Sequence, residues 1–111
     1  MSWKSLTTTS QLEQLNTESA KRPQVIFKHS TRCSISSMIQ NRLTKQALPE
    51  DIDFYYLDLI AYRPISNLIA EQYGVHHESP QVLVIKNGKC VFHESHHAIY
   101  MDDIIKAALE N

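Results

Sequence analysis

The sequence lacks most of what would tie a chain to a disulfide scaffold, a membrane or a polyanion. It has two cysteines in 111 residues; these are too few for a disulfide framework and point to a reducing compartment. It has only two glycines, each expected where a positive φ is needed. No run of about eighteen apolar residues occurs, which argues against a membrane span. The opening stretch "MSWKSLTTTSQLEQL" has no apolar core of the kind a signal peptide carries, so the cytoplasm is the expected location. Charge of one sign is also missing: 11 basic and 12 acidic residues give a net charge of −1. Without a basic field, neither nucleic acid nor an anionic membrane is an expected partner. Phosphate-binding glycine loops, paired catalytic carboxylates and Ser-His-Asp patterns are absent as well.

What remains is 42% hydrophobic, enough for one domain spanning residues 1–111 around a single core. Ser10 followed by Glu13 reads as a capping box, and Leu12 and Leu15 give the next helix an apolar side. That helix is expected to end near Lys21-Arg22, ahead of Pro23. Val25-Ile26-Phe27 is a continuous β-branched and aromatic run, as in a strand covered on both faces. Ile35, Met38, Ile39 and Leu43 then recur at helical spacing, predicting an amphipathic helix to about Ala47. A second strand is expected over Asp53–Leu59. A helix follows, with Pro64 in its first turn, Ile65, Leu68, Ile69 and Tyr73 on one side, and Gly74 as a left-handed stop.

Val82–Ile85, Asn87-Gly88 and Cys90–Phe92 predict a hairpin closed by a type I′ turn. A final helix carries Asp102 and Asp103 in its first turn and is expected to bury Ile104, Ile105, Ala108 and Leu109. The order is α-β-α-β-α-β-β-α, an α/β chain. Strands joined through helices run parallel and the hairpin antiparallel, so a four-stranded mixed sheet flanked by helices on both faces is expected.

One cysteine sits where chemistry is expected. Cys33 follows the first long strand and opens the next helix, in "STRCSIS". There its sulfur would meet unpaired backbone N–H groups and the positive end of the helix dipole, beside the Arg32 cation, and all three favour thiolate. A lone cysteine is otherwise an ordinary buried side chain, but the end of a central strand is where open α/β sheets place their sites. Ser36 stands where a dithiol enzyme would have its second cysteine. Its hydroxyl is expected to donate a hydrogen bond to the Cys33 thiolate.

The strand, the Cys-x-x-Ser pattern at the helix start and the later "YGVHHESPQVLVIKNGK" together resemble the thioredoxin superfamily over nearly the whole chain. More narrowly, "HSTRCSIS", "SPQVLVIKNGK" and "HESHHAI" resemble the YtxJ-like monothiol bacilliredoxins, proteins of bacteria whose low-molecular-weight thiol is bacillithiol. That family usually has Thr-Cys-Pro-Ile-Ser; here Arg32-Cys33-Ser34 departs from it, while Ile35 and Ser36 match. The resemblance implies a thioredoxin-like fold with Pro80 in cis, facing Cys33, and with the Ser79 backbone open to a substrate strand. It implies thiol-disulfide exchange by Cys33 alone on bacillithiolated client proteins. Bacillithiol would be the co-substrate, with no bound cofactor, and a second bacillithiol or a reductase would restore Cys33. Thr31, Arg32 and Ser34 are candidate substrate contacts, Arg32 through a bacillithiol carboxylate.

Two other readings use the same cysteine: a redox sensor or thiol-binding protein that is modified without turnover, and a glutaredoxin-like carrier with an iron–sulfur cluster between two chains. Cys90, 57 positions from Cys33, is expected at the sheet edge in a structural role. His76-His77 and His93-x-x-His96-His97 have spacings that zinc sites use, but further ligands are not evident; no metal is expected. His29 reads as a strand-end polar residue or as a group that tunes the thiol. Tyr55, Tyr56 and Tyr62 read as packing aromatics.

Overall fold

A computed structural model describes residues 2–110. Five strands and four helices follow the order β1 (Lys4–Ser5), α1 (Thr9–Glu18), β2 (Gln24–His29), α2 (Ser34–Thr44), β3 (Asp53–Asp58), α3 (Arg63–Tyr73), β4 (Gln81–Lys86), β5 (Lys89–Ser95) and α4 (Met101–Leu109). A 3₁₀ turn over His96–Ala98 joins β5 to α4. The sheet order is β1-β3-β2-β4-β5. The β1–β3 and β2–β3 pairs are parallel, while β2–β4 and β4–β5 are antiparallel.

β2 lies at the centre because it can be buried on both faces. Val25 and Phe27 point into a core with Ile39 and Leu43 of α2 and Ile104 and Ala108 of α4. Ile26 points into the opposite core, with Leu12 and Leu15 of α1 and Ile65 and Ile69 of α3. Period-two alternation in the strand thus feeds two layers of helices. Fully burying side chains of this size stabilises by about 1.5–3 kcal/mol each.

The sheet has five strands rather than the expected four. β1 is two residues long, and Trp3 beside it packs edge-on against Phe54 and Phe27, with ring centroids 5.1 and 6.3 Å away. Tertiary packing, not strand propensity, holds this edge.

Three helix boundaries also differ from expectation. The cap of α1 is Thr8, whose Oγ1 accepts from Gln11 N at 3.1 Å while Gln11 Oε1 accepts from Thr8 N at 3.1 Å. Gln11 also donates to Ser5 O, tying cap to strand, so Ser10 falls inside the helix. α1 ends at Glu18 because the chain turns at buried Ser19, whose carbonyl and hydroxyl accept from the N–H groups of Asn87 and Gly88. α2 stops at Thr44, since residues 44–47 are exposed and no apolar face holds a further turn.

Met38 is 42% and Leu109 51% exposed, so neither joins the core as expected. Gly74 closes α3 at φ 64°, and Asn87 and Gly88 turn the hairpin at φ 53° and 74°, all three matching the sequence signals.

Candidate active site

β2 ends at His29 and the chain passes through Ser30, Thr31 and Arg32 to Cys33, the N-cap residue of α2. Cys33 has extended backbone (φ −113°, ψ 121°), and its side chain makes no capping hydrogen bond. Its N–H donates to Ser30 O at 3.2 Å, and its carbonyl accepts from Ser37 N at 3.0 Å. The thiol is partly exposed and free. Thr31, Arg32 and Ser34 surround it in sequence, and all three are exposed.

Ser36 does not take the expected role. It is fully buried, and its Oγ lies 2.7 Å from His29 Nδ1 while accepting from Ser30 N at 2.9 Å. No Ser36–Cys33 hydrogen bond forms among the described residues. The hydroxyl braces the loop from beneath, because the first turn of α2 directs it inward towards the strand end.

His29 is 3% exposed, beside the rings of Tyr56 at 5.5 Å and Phe27 at 5.9 Å. Burial lowers its pKa from the ordinary 6.5, opposed by a backbone hydrogen bond at Ser36 and by the Asp58 charge. The imidazole is therefore neutral at pH 7.

The Ser79–Pro80 bond is cis. Lys28 pairs with Gln81 in the antiparallel register, so Pro80 falls alongside His29, at the strand end where the Cys33 loop begins. Pro80 O accepts from His96 N at 2.9 Å. Ser79 offers neither N–H nor C=O to a hydrogen bond among the described residues. The structure thus gathers Cys33, Ser36 and Pro80 at one end of the sheet.

One buried residue there, Lys28, was not singled out from the sequence. Lys28 is fully buried; its Nζ donates to Ser66 O at 3.1 Å and approaches His77 Nδ1 at 3.4 Å. Burial lowers its pKa from 10.5 to about 8, and no carboxylate pairs with it among the described residues. His77 is lowered too, by burial first and then by the Lys28 charge. A run polar at both Lys28 and His29 inside a strand covered on both faces must bury both, and that was the available signal.

Elsewhere, His96 Nε2 lies 3.5 Å from Glu78 Oε2. Among the described residues, no three of His, Cys, Asp and Glu gather where a metal could bind. Cys90 lies on edge strand β5 beside Ile85, and Ile85 in turn pairs with Gln24 at the start of β2. Its Sγ donates to Phe92 O at 3.2 Å, and burial raises its pKa from 9.0. The two cysteines occupy opposite ends of the sheet. A groove of about 700 Å³ near Lys86, Phe92 and Glu110 belongs to the Cys90 end and is lined by no cysteine.

A partly exposed thiol at a helix N-cap, a cis-proline at the same end of the sheet and the other thiol at the far end are the arrangement of a thioredoxin-like fold. Solved structures agree on the fold. A candidate oxidoreductase with a thioredoxin fold is 32% identical, with 94% of this chain and 91% of that one covered at a TM-score of 0.82. The thioredoxin of Malassezia sympodialis is 18% identical (86% and 79% covered, TM-score 0.71). A thioredoxin variant from Halobacterium salinarum is 14% identical (97% and 91% covered, TM-score 0.72).

The family model for the monothiol bacilliredoxin BrxC matches residues 4–104. The chain belongs to that family, which carries a thiol redox role.

Proposed function

We propose that this protein removes bacillithiol from mixed disulfides on cytoplasmic client proteins, using Cys33 as its only exchanging thiol. The Cys33 thiolate attacks the bacillithiol sulfur of the client's mixed disulfide. A Cys33–bacillithiol disulfide forms, the client S–S bond breaks, and the client sulfur leaves as thiolate and takes a proton from water. A second bacillithiol thiolate, or a reductase thiolate, attacks the bacillithiol sulfur of the adduct; a new disulfide forms between the attacker and bacillithiol as the S–S bond to Cys33 breaks and Cys33 leaves as thiolate. No bound cofactor takes part; bacillithiol is a co-substrate.

The observation that carries this reading is the placement of Cys33, free and partly exposed, at the N-cap of α2 with its side chain making no capping hydrogen bond. Arg32, exposed beside it, can pair with a bacillithiol carboxylate through its planar fork. Thr31 and Ser34 offer hydroxyls at the same opening. The unpaired Ser79 backbone next to Pro80 can take an extended client segment as an added strand.

Intact mass after exposure to oxidised bacillithiol and, separately, oxidised glutathione tests the reading. One adduct, confined to Cys33 and favoured by bacillithiol, is the expected result. Release of free thiol from a bacillithiolated client then distinguishes turnover from modification alone, and equal adducts on both cysteines would count against the assignment.

A further inference from the structure

We infer that His29 is a positioning residue for the reactive-cysteine loop: its neutral ring, protonated on Nε2, accepts the Ser36 hydroxyl at Nδ1 and thereby fixes the loop that presents Cys33. The inference deepens the exchange reading above and rests on it for its biological meaning, though its geometry does not depend on bacillithiol.

The proton positions follow from an accounting of partners. Ser36 Oγ accepts from Ser30 N–H, a group that can only donate. Ser36 is fully buried, and its hydroxyl proton has one nearby acceptor among the described residues, His29 Nδ1 at 2.7 Å. If Nδ1 carried a proton, the hydroxyl would be left without an acceptor inside the protein, an unfavourable state for a buried donor. The Ser36 proton therefore lies towards Nδ1, and the ring holds its own proton at Nε2.

This bond connects two segments. His29 is the last residue of β2, with its carbonyl accepting from Leu59 N of the chain beyond β3. Ser36 lies in the first turn of α2. Between them, Ser30 donates its N–H to Ser36 Oγ, while its Oγ accepts from Arg32 N and its carbonyl from Cys33 N. The loop is thus stitched to the strand through one hydroxyl and one imidazole. The groups facing the ring are Phe27 on its own strand, Tyr56 and Asp58 on β3, and Ser36 on α2. Asp58 is the carboxylate that favours a proton on the ring, and burial opposes it.

The test uses full-length protein with Cys90→Ala, so that only Cys33 can be labelled. Nitrogen-15 NMR of the His29 ring reports which nitrogen carries the proton. Protonation on Nε2 alone is expected, and protonation on Nδ1 overturns the inference.

The Cys33 alkylation rate with iodoacetamide, followed against pH, is then compared across variants. His29→Phe and Ser36→Ala are each expected to change the rate by about five-fold or more, with the double variant no different from either single one. His29→Asn, which keeps an acceptor at the Nδ1 position, is expected within about two-fold of the parent. The parent profile should carry an inflection below pH 6.5 that His29→Asn lacks. A His29→Phe profile superimposed on the parent's, or effects that multiply in the double variant, would overturn the inference. If His29→Phe fails to fold, the ring tautomer and Ser36→Ala still decide. Iodoacetamide is not a disulfide, so a failure of bacillithiol exchange leaves this result readable on its own.

Discussion

The two ends of β2 treat buried charge in opposite ways. At its start, Gln24 donates to Asp53 at 2.8 Å, and Arg22 and Lys4 approach the same carboxylate at 3.2 and 3.7 Å. Charge there is paired. At its finish, Lys28 is fully buried with only a carbonyl and an imidazole for partners, and His29 beside it is held neutral. The first arrangement makes stability. The second spends some of it where the reactive loop is fastened, a pattern common at functional sites. The cysteines divide the same way: Cys33 is unengaged at the costly end, and Cys90 is hydrogen-bonded and held protonated at the settled end.

The sharpest way to break the comparison is to exchange the cysteines' fates. Cys33→Ala should bring client-thiol release down to the uncatalysed background, while Cys90→Ala stays within about two-fold of the native rate, as read by a thiol-release assay. Labelling comes next. At pH 7 Cys33 should react with iodoacetamide faster than Cys90 on the order of 100-fold, as peptide mass spectrometry will show. Labelling of Cys90 should need a pH above its ordinary 9.0, because burial raises its pKa.

Stability should respond with opposite signs at the two ends. Asp53→Ala removes one of the two acceptors of buried Gln24 and the partner of two cations, and should cost about 2–3 kcal/mol in urea unfolding at pH 7. Lys28→Met removes an uncompensated buried charge while keeping its volume, and should gain about 1–2 kcal/mol under the same conditions. The pH dependence of that gain is a further check. Lys28 in the folded protein gives up its proton near 8, against an ordinary 10.5. Between those values the unfolded chain binds the extra proton, so native stability should rise with pH across the interval. The advantage of Lys28→Met should shrink over the same interval.

Most of the architecture was legible because its signals are local. Pro64 and Gly74 bound α3, Asn87-Gly88 turn the hairpin, and Val25–Phe27 mark the central strand. β1 was not legible, since two residues show no periodicity and Trp3 holds them through contacts remote in sequence. Cys33 could be found from its position between strand and helix. The cis bond before Pro80 rested on family resemblance, since nothing in the local residues requires it. Ser36 was placed correctly in the chain but given the wrong partner: the spacing to Cys33 suggested a contact, while the helix turns its hydroxyl inward to His29. Lys28 was missed because lysine in a strand is read as exposed, an assumption that fails when both faces are covered.

Roughly 17 Å of strand separates the row of Cys90 from the end where Cys33 emerges. A disulfide formed on Cys33 would therefore have no internal route of escape. Its lifetime would be set by whatever small thiol the surroundings supply, so the steady-state loaded fraction would track the abundance of that reductant rather than any property of the chain alone.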